Sequence, residues 1–426
     1  MIPVTEADAI LQDLVRPWVE HPRLDPETIR LIPDPTVALG RVLAELVRSP
    51  LDIPHWDNSA MDGYAVRQAD LAGATPEDPR VLAIVDTIPA GQVPQRAIAP
   101  GECARIFTGS MLPAGADSVV MQEHTSRLDG ERVAIAQEPS LGEFVRRRGD
   151  YAQVGSEILP VGTRIGAPEI AALAAVQCAQ VRVYRPPAIA ILSTGDELVT
   201  LDPPLQPLQP GQIVDSNQYA LAAAAQRLGA TVQRLGIVRD DPTALRAAMA
   251  RAIATADVVL STGGVSVGDY DFVETLLEKL GATIAIRAVA IRPGKPLTVA
   301  TLPRPDAVAG DRPVFYFGLP GNPASALVTT WRFVAPLVAR LAGITDDLGP
   351  RFSMAIARSP LRGAGRRETY LWGRLVNQGR DFELAAGGHS SANLINLARP
   401  NALAIVPQGV PEIAAGESIQ VMHIPV

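Results

Sequence analysis

The sequence predicts a multidomain protein of class α/β plus β, with a three-layer α/β/α domain, two small β domains and a helical linker domain. Three observations carry this. A chain of 426 residues is too long for one hydrophobic core, so roughly two to four domains are expected. From Pro186 onward, apolar strand-like runs alternate with helical ones. On both sides of that block, short apolar runs are separated by Gly/Pro turns.

Taken in order, "TEADAILQDLV" (5–15) reads as an amphipathic helix and "LGRVLAELVRS" (39–49) as a second one. "SPLDIPHWDNSAMDGYAV" (49–66) reads as a Pro-rich irregular loop. The runs "VLAIVDTI", "GECARIFTG" and "DSVVMQEHTSRLDGERVAIA" form a small β domain, and "VGTRIGAPEIAALAAV" (161–176) returns to helix. The expected boundaries are 1–52 with 145–185 for the linker domain, 53–144 for the first β domain, 186–345 for the α/β domain and 346–426 for the last.

Within 186–345, "AIAILST", "TVQRLGIV", "DVVLSTGG" and "PVFYFG" read as strands. The helices are "SNQYALAAAAQRLG", "DPTALRAAMARAIAT", "VETLLEKLG" and one long helix after "GLPGNPAS". Asp241 followed by Pro242 is an N-cap with Pro at the first helical position. Such alternation gives a mostly parallel sheet with helices on both faces. After Leu348 the runs "RFSMAIAR", "YLWGRLV" and "NALAIVPQG" are again β-like, and "GRRETY" (365–370) reads as a charged hairpin.

Composition excludes some functions. A charged fraction of 19% and a hydrophobic fraction of 47% fit a soluble globular protein. The net charge of -7 leaves no basic surplus for non-specific nucleic-acid binding. The amphipathic, acidic start is no signal peptide, and no apolar window is long enough to span a bilayer, so a cytoplasmic location is expected. Cys103 and Cys178 are then two buried reduced thiols rather than a disulfide.

In an open parallel sheet, ligands bind beyond the carboxyl ends of the strands. Three loops leave such ends: "STGDEL" (193–198), "STGGVSVGDYD" (261–271) and "GLPGNPAS" (318–325). Each is rich in turn and capping residues, yet three on one edge favour an anion site, most simply for phosphate. Ser193, Thr194, Gly195, Thr262, Gly263, Gly264 and Ser266 supply its hydroxyls and approachable amides. No Walker A or dinucleotide fingerprint is present. Glu197 and Asp271 follow two of the loops, with Asp196, Asp269, Asp240 and Asp241 beside the same strand ends. Hard oxygen ligands next to phosphate point to Mg²⁺ at Glu197 and Asp271, with capping the plainer role for Asp241. "IRPGKPL" (291–297) fixes Arg292 and Lys295 on a rigid turn suited to an oxyanion. "DNSAMDGYAV" (57–66), with two acids, resembles a binding loop. No nucleophile elbow, H-E-x-x-H or C-x-x-C is present, which leaves metal-assisted chemistry on a phosphate-bearing ligand.

Together with "RIFTGSMLPAGAD", "VRRRGD" and "DSN", these motifs stand in the order found in the MoeA family of molybdopterin molybdenumtransferases, which the chain resembles over nearly its whole length. The related domain of gephyrin is similar. The resemblance implies an enzyme that inserts molybdate into adenylylated molybdopterin and releases AMP with Mg²⁺. It also implies an elongated homodimer of four-domain subunits whose active site is shared between them. The adenylyltransferase that makes the substrate is a candidate partner.

By motif, Asp57 and Thr108 face the partner's site, Glu197, Asp240 or Asp241, and Asp271 serve Mg²⁺ and the pterin, and Arg292 and Lys295 attract molybdate or phosphate. Gly263, Gly264, Ser266 and Pro320, Gly321, Asn322 and Pro323 form the nucleotide and pterin cradle, with Ser391 beside them. Two departures stand out. "HSSA" (389–392) replaces the usual Q-G-S-G, and "RRRGDY" (146–151) puts Tyr151 where R-R-R-G-E-D has aspartate, with Asp150 one residue earlier. The alternatives are an adenylyltransferase on the same fold and a non-catalytic, gephyrin-like scaffold.

Overall fold

The structure is a computed structural model that describes residues 1–16, 25–201, 207–263, 270–305, 312–345 and 349–425, with only the backbone of 270–272. The chain divides into two compact units. One comprises Met1–Glu45, Gly162–Gly166 and Arg182–Val426, the other Leu46–Val161 and Ala167–Val181.

The second unit is built on a six-stranded sheet in the order 118–121, 63–66, 102–106, 80–88, 132–135, 125–127. Every neighbouring pair is antiparallel except 80–88 with 102–106. Both faces are covered. Tyr64, Val66, Leu82, Cys103 and Val133 pack on one, and Ala65, Ile88, Ala104, Ile106 and Val119 on the other. Gly63 permits the tightest approach, since a Cβ there would sit 1.9 Å from the Val120 carbonyl oxygen. The stretch read as an irregular loop contains two of this unit's strands, Asn58–Ser59 and Gly63–Val66. Cys103 is buried, which pushes its thiol up to about 12. Cys178 is only half-buried, so the expectation of two buried thiols is corrected there.

The first unit begins with α1 (Val4–Val15), whose Val4, Ala7, Leu11 and Val15 fall on one buried face at helical spacing. The second expected helix, 39–49, does not form. Gly40 has φ +75°, and Val42 and Leu43 make antiparallel bridges to Arg164 and Val183. The Leu43 amide donates to Thr163 O at 2.9 Å, and its carbonyl accepts from Gly162 N at 2.9 Å. Val42 and Leu43 are buried through these tertiary bridges rather than on the face of a helix.

The α/β sheet contains β1 (Ala188–Thr194), β2 (Thr231–Val238), β3 (Val258–Thr262), β4 (Thr283–Ala288), β5 (Pro296–Leu302) and β6 (Val314–Leu319). Its order is 2-1-3-6-5-4. Strands 2, 1, 3 and 6 are mutually parallel, while β5 runs antiparallel to both of its neighbours, β6 and β4. Helices α2 (Ser216–Arg227), α3 (Pro242–Thr255), α4 (Tyr270–Lys279), α5 (Pro323–Thr329) and α6 (Ala335–Leu341) cover it. Ile189, Ile191, Val258 and Leu260 face Leu221 of α2 and Leu337 of α6. Ala190, Leu192 and Val259 face Leu245 of α3 and Leu277 of α4. The fully buried strands therefore read as continuous apolar runs, as a parallel sheet covered on both sides requires.

The long helix expected after "GLPGNPAS" is interrupted by a π-helical turn at Thr330–Val334. Pro336 lies in the first turn of α6, and proline removes one helical donor and crowds the carbonyl four residues back. Beyond it, strands 368–376, 381–384, 352–357, 418–423 and 402–406 pair in sequence, and the last returns to the first. This closed five-stranded barrel shares the α/β core through Tyr370, Trp372, Leu403 and Met422. The expected "GRRETY" hairpin is a bend that enters strand Glu368–Val376.

Candidate functional site

Strand register brings the chemistry-bearing loops of the first unit to one edge. Ser193 of β1 pairs with Thr262 of β3, Thr194 with Val238 of β2, and Thr262 with Leu319 of β6. The loops after Thr194, Val238, Thr262 and Leu319 thus leave side by side. Strand order reverses direction between β1 and β3, which is the switch point where an open α/β sheet leaves a crevice.

At that point the backbones are crowded together by glycine. Gly263 has φ +85°, and a Cβ there would lie 2.1 Å from the Thr194 carbonyl oxygen. Gly321 adjoins it, since its own Cβ would be 3.6 Å from the Gly263 Cα. The Ser193 and Thr262 hydroxyls lie 2.9 Å apart and bond to each other inside the sheet, so they lock the two strand ends. Below them, the Ser261 hydroxyl is 2.6 Å from the Tyr316 hydroxyl, which burial pushes up to about 12. Thr194 differs. Its Oγ1 is buried and has no partner among the described residues.

The acids take distinct roles. Glu197 folds back over Gly195, whose Cβ would meet the Glu197 Oε2 at 2.5 Å. The Glu197 side chain is exposed, and its carboxylate has no partner among the described residues. Asp241 caps α3 by accepting from Ala244 N at 2.7 Å, as the Asp-Pro pattern predicts. Asp240 N–H donates weakly to Asp196 Oδ1 at 3.4 Å, which sets these acids beside the β1 and β2 ends. Asp271 lies in the first turn of α4, and its side chain is outside the described residues, as are Gly264 and Ser266. Among the described residues no group of three His, Cys, Asp or Glu side chains forms a cage for a metal. An ion held by one or two carboxylates and by a ligand's phosphate oxygens needs no such cage, and the free Glu197 carboxylate fits Mg²⁺ held that way.

Two further segments join this edge. Ile291–Arg292 pairs in parallel with Glu368–Thr369, so the turn carrying Arg292 and Lys295 sits beside the barrel strand preceded by Arg366 and Arg367. Gly294 presses against α5, where its Cβ would meet the Thr329 Cγ2 at 2.5 Å. Arg292 and Lys295 are exposed, and no described carboxylate pairs with them. The turn at Pro320, Gly321, Asn322 and Pro323 is gripped from both sides. Asn217 Nδ2 donates to Gly321 O at 2.7 Å, and Asn322 Nδ2 donates to Ser391 Oγ at 3.0 Å. Ala324 N donates to Ser391 O at 3.1 Å.

The three regions of a family match the chain: MoeA N-terminal region (domain I and II) over 2–176, probable molybdopterin binding domain over 190–340, and MoeA C-terminal region (domain IV) over 354–424. A molybdopterin molybdenumtransferase from a Nostoc species is 53% identical over 407 residues, covering 95% of this chain and 91% of that protein. The chain belongs to the MoeA family, the molybdopterin molybdenumtransferases. Molybdopterin molybdenumtransferase 2 of Mycobacterium tuberculosis is 35% identical across 95% of this MoeA chain and 98% of its own length. A crystal structure of the molybdopterin biosynthesis MoeA protein from Pyrococcus horikoshii is 29% identical, with a TM-score of 0.78 and 99% coverage of both chains. A second, 24% identical with a TM-score of 0.82, bears on the fold alone.

The MoeA chain's other unit holds Asp57 and Thr108. Asp57 accepts from Arg148 N at 2.8 Å and from Arg147 Nη1 at 2.7 Å. Partial burial works to raise its pKa, but the Arg148 amide and the Arg147 guanidinium outweigh it and hold the carboxyl below the usual range. Thr108 bonds not to Asp57 but to Asp62, through both its amide and its hydroxyl. Reading the sequence passed over Asp62 as a site residue, although it is the second acid of the same loop. Asp150 accepts from Arg147 N at 2.6 Å and closes a turn, while Tyr151 is 67% exposed. Among the described residues no helix is long and apolar enough to cross a membrane.

Proposed function

We propose that the protein transfers molybdenum into adenylylated molybdopterin with release of AMP, in a Mg²⁺-dependent reaction. The observation that carries this is the meeting of Thr194, Gly263 and Gly321 at the switch point, with the exposed Glu197 carboxylate beside it and the exposed Arg292 and Lys295 on the turn that joins the same edge. Close glycine backbones admit a phosphate-bearing ligand to amide range. Arg292 and Lys295 draw molybdate and phosphate together against their mutual repulsion. The buried Thr194 hydroxyl, without a partner among the described residues, offers a hydrogen bond to a ligand. Glu197, with Asp240 and Asp271 as the nearby acids, would hold Mg²⁺, which when bound polarises phosphoryl oxygens. An oxygen of molybdate bonds to the pterin phosphorus as the bond to the adenylate breaks, and AMP leaves with its electron pair. The molybdenum then passes from that oxygen to the two dithiolene sulfurs, whose protons leave with a second molybdate oxygen as water.

The protein acts as a cytoplasmic homodimer in this reading, with Asp57, Asp62 and Thr108 of one subunit completing the other's site. The adenylyltransferase that makes the substrate is its natural neighbour. The test is direct. Purified protein incubated with adenylylated molybdopterin, molybdate and Mg²⁺ yields AMP, and omission of molybdate or Mg²⁺ suppresses it. Absence of AMP from the complete mixture rules the reading out. Pyrophosphate formed from ATP and molybdopterin would instead favour the adenylyltransferase. Sedimentation at the mass of one chain would remove the shared site.

A further inference from the structure

We infer that Asn217 is a positioning residue for the substrate, acting through the peptide between Gly321 and Asn322. This rests on the reading of the crevice as the adenylylated-molybdopterin site. It begins in the short motif D-S-N-Q, residues 215–218. Asp215, nearly buried, is the N-cap of α2. It accepts from Gln218 N at 3.2 Å and from Gln218 Nε2 at 2.9 Å. The capped first turn fixes the direction of Asn217. Asn217 is 8% exposed, and its Nδ2 reaches across to Gly321 O at 2.7 Å.

A trans peptide places its N–H opposite its carbonyl. With the Gly321 carbonyl held on the α2 side, the Asn322 N–H is turned away from α2, and it has no backbone partner among the described residues. The other side of the turn is held separately, by Asn322 Nδ2 on Ser391 Oγ and by Ala324 N on Ser391 O. Gly321 itself adds no restraint, because glycine accepts a wide range of backbone angles. Gly321 is also exposed, so its carbonyl finds water if Asn217 is lost. Loss of the Asn217 amide therefore frees the peptide to rotate without unfolding the protein. A rotated peptide presents a carbonyl oxygen, not an N–H, to an anionic ligand.

The experiment compares wild type with Asn217→Asp and Asn217→Ala in the AMP-release assay, with adenylylated molybdopterin and molybdate varied separately. Asn217→Asp keeps the shape and removes the donor, and Asn217→Ala controls for the added charge. Both raise KM for adenylylated molybdopterin by about tenfold, the scale of one lost hydrogen bond to a charged group, with KM for molybdate and the thermal midpoint unchanged. An active wild type with variants of unaltered KM overturns the role of Asn217 alone. So do variants that raise both KM values together with a fall in thermal midpoint, since that marks a merely structural contact. A wild type that releases no AMP overturns the reading of the crevice, and this inference with it.

Discussion

Asp62 and Thr108 form a double hydrogen bond: the carboxylate accepts from the threonine amide and from its hydroxyl, each at 2.8 Å. Those two bonds, amide first, hold the Asp62 carboxyl below the ordinary carboxylate range, with Arg105 adding a smaller pull. The pair joins the "DNSAMDGYAV" loop to the "FTGSMLP" loop, which places both motifs on one surface of their unit.

Asp62 and Asp57 are expected to separate by role. Asp57 ties down Arg147 and the Arg148 amide, so Asp57→Ala removes a local tether and lowers stability by about 1 kcal/mol. Asp62→Asn keeps the Thr108 contacts in shape but removes the charge. AMP release should fall about tenfold or more in Asp62→Asn, with the urea midpoint unmoved. Equal activity in Asp62→Asn and wild type would make the pair a loop fastener only.

Gly263 and Gly321 make a contrasting pair. Ala at 263 combines φ +85° with a Cβ 2.1 Å from a backbone oxygen, so Gly263→Ala should cost about 2 kcal/mol or more and distort the crevice. Ala at 321 meets only ordinary contacts, 3.6 Å and beyond, and should alter stability by less than about 1 kcal/mol. Urea unfolding of the two variants checks the difference.

Glu197 tests the metal. It is exposed and partnerless among the described residues, so Glu197→Gln should leave stability within about 0.5 kcal/mol of wild type. The Mg²⁺ concentration needed for half-maximal AMP release should rise about tenfold. A Mg²⁺ titration that superimposes on wild type would move the ion to other acids.

Asp257 governs acid stability at the opposite end of the sheet. It is buried, accepts from Ala188 N at 2.8 Å, and binds Arg185 at 2.7 Å and Arg304 at 2.7 Å. Burial works to raise its pKa, but Arg185, the Ala188 amide and Arg304 together lower it. Because the unfolded chain then holds this proton more tightly than the folded one, the contribution is complete above about pH 4 and fades as pH falls through the depressed value. Asp257→Asn should lose about 2–3 kcal/mol at pH 7, the low end for a broken buried pair because both arginines are partly open. The difference from wild type should shrink in acid. A difference independent of pH would assign the loss to packing.

Sequence alone determined the α/β core of this protein and the motifs along its edge. The apolar runs of β1, β3 and β6 and the Asp241–Pro242 start of α3 are local signals, and local physics suffices to read them. It also picked out the turn of Arg292 and Lys295. Only tertiary structure decided the stretch 39–49, where bridges to Arg164 and Val183 override a helical pattern. It alone matched Thr108 to Asp62 rather than Asp57, and brought Asn217 and Ser391 to the same four-residue turn, 104 and 69 positions from their partners. Such pairings depend on strand register and chain crossings, and no local spacing encodes them.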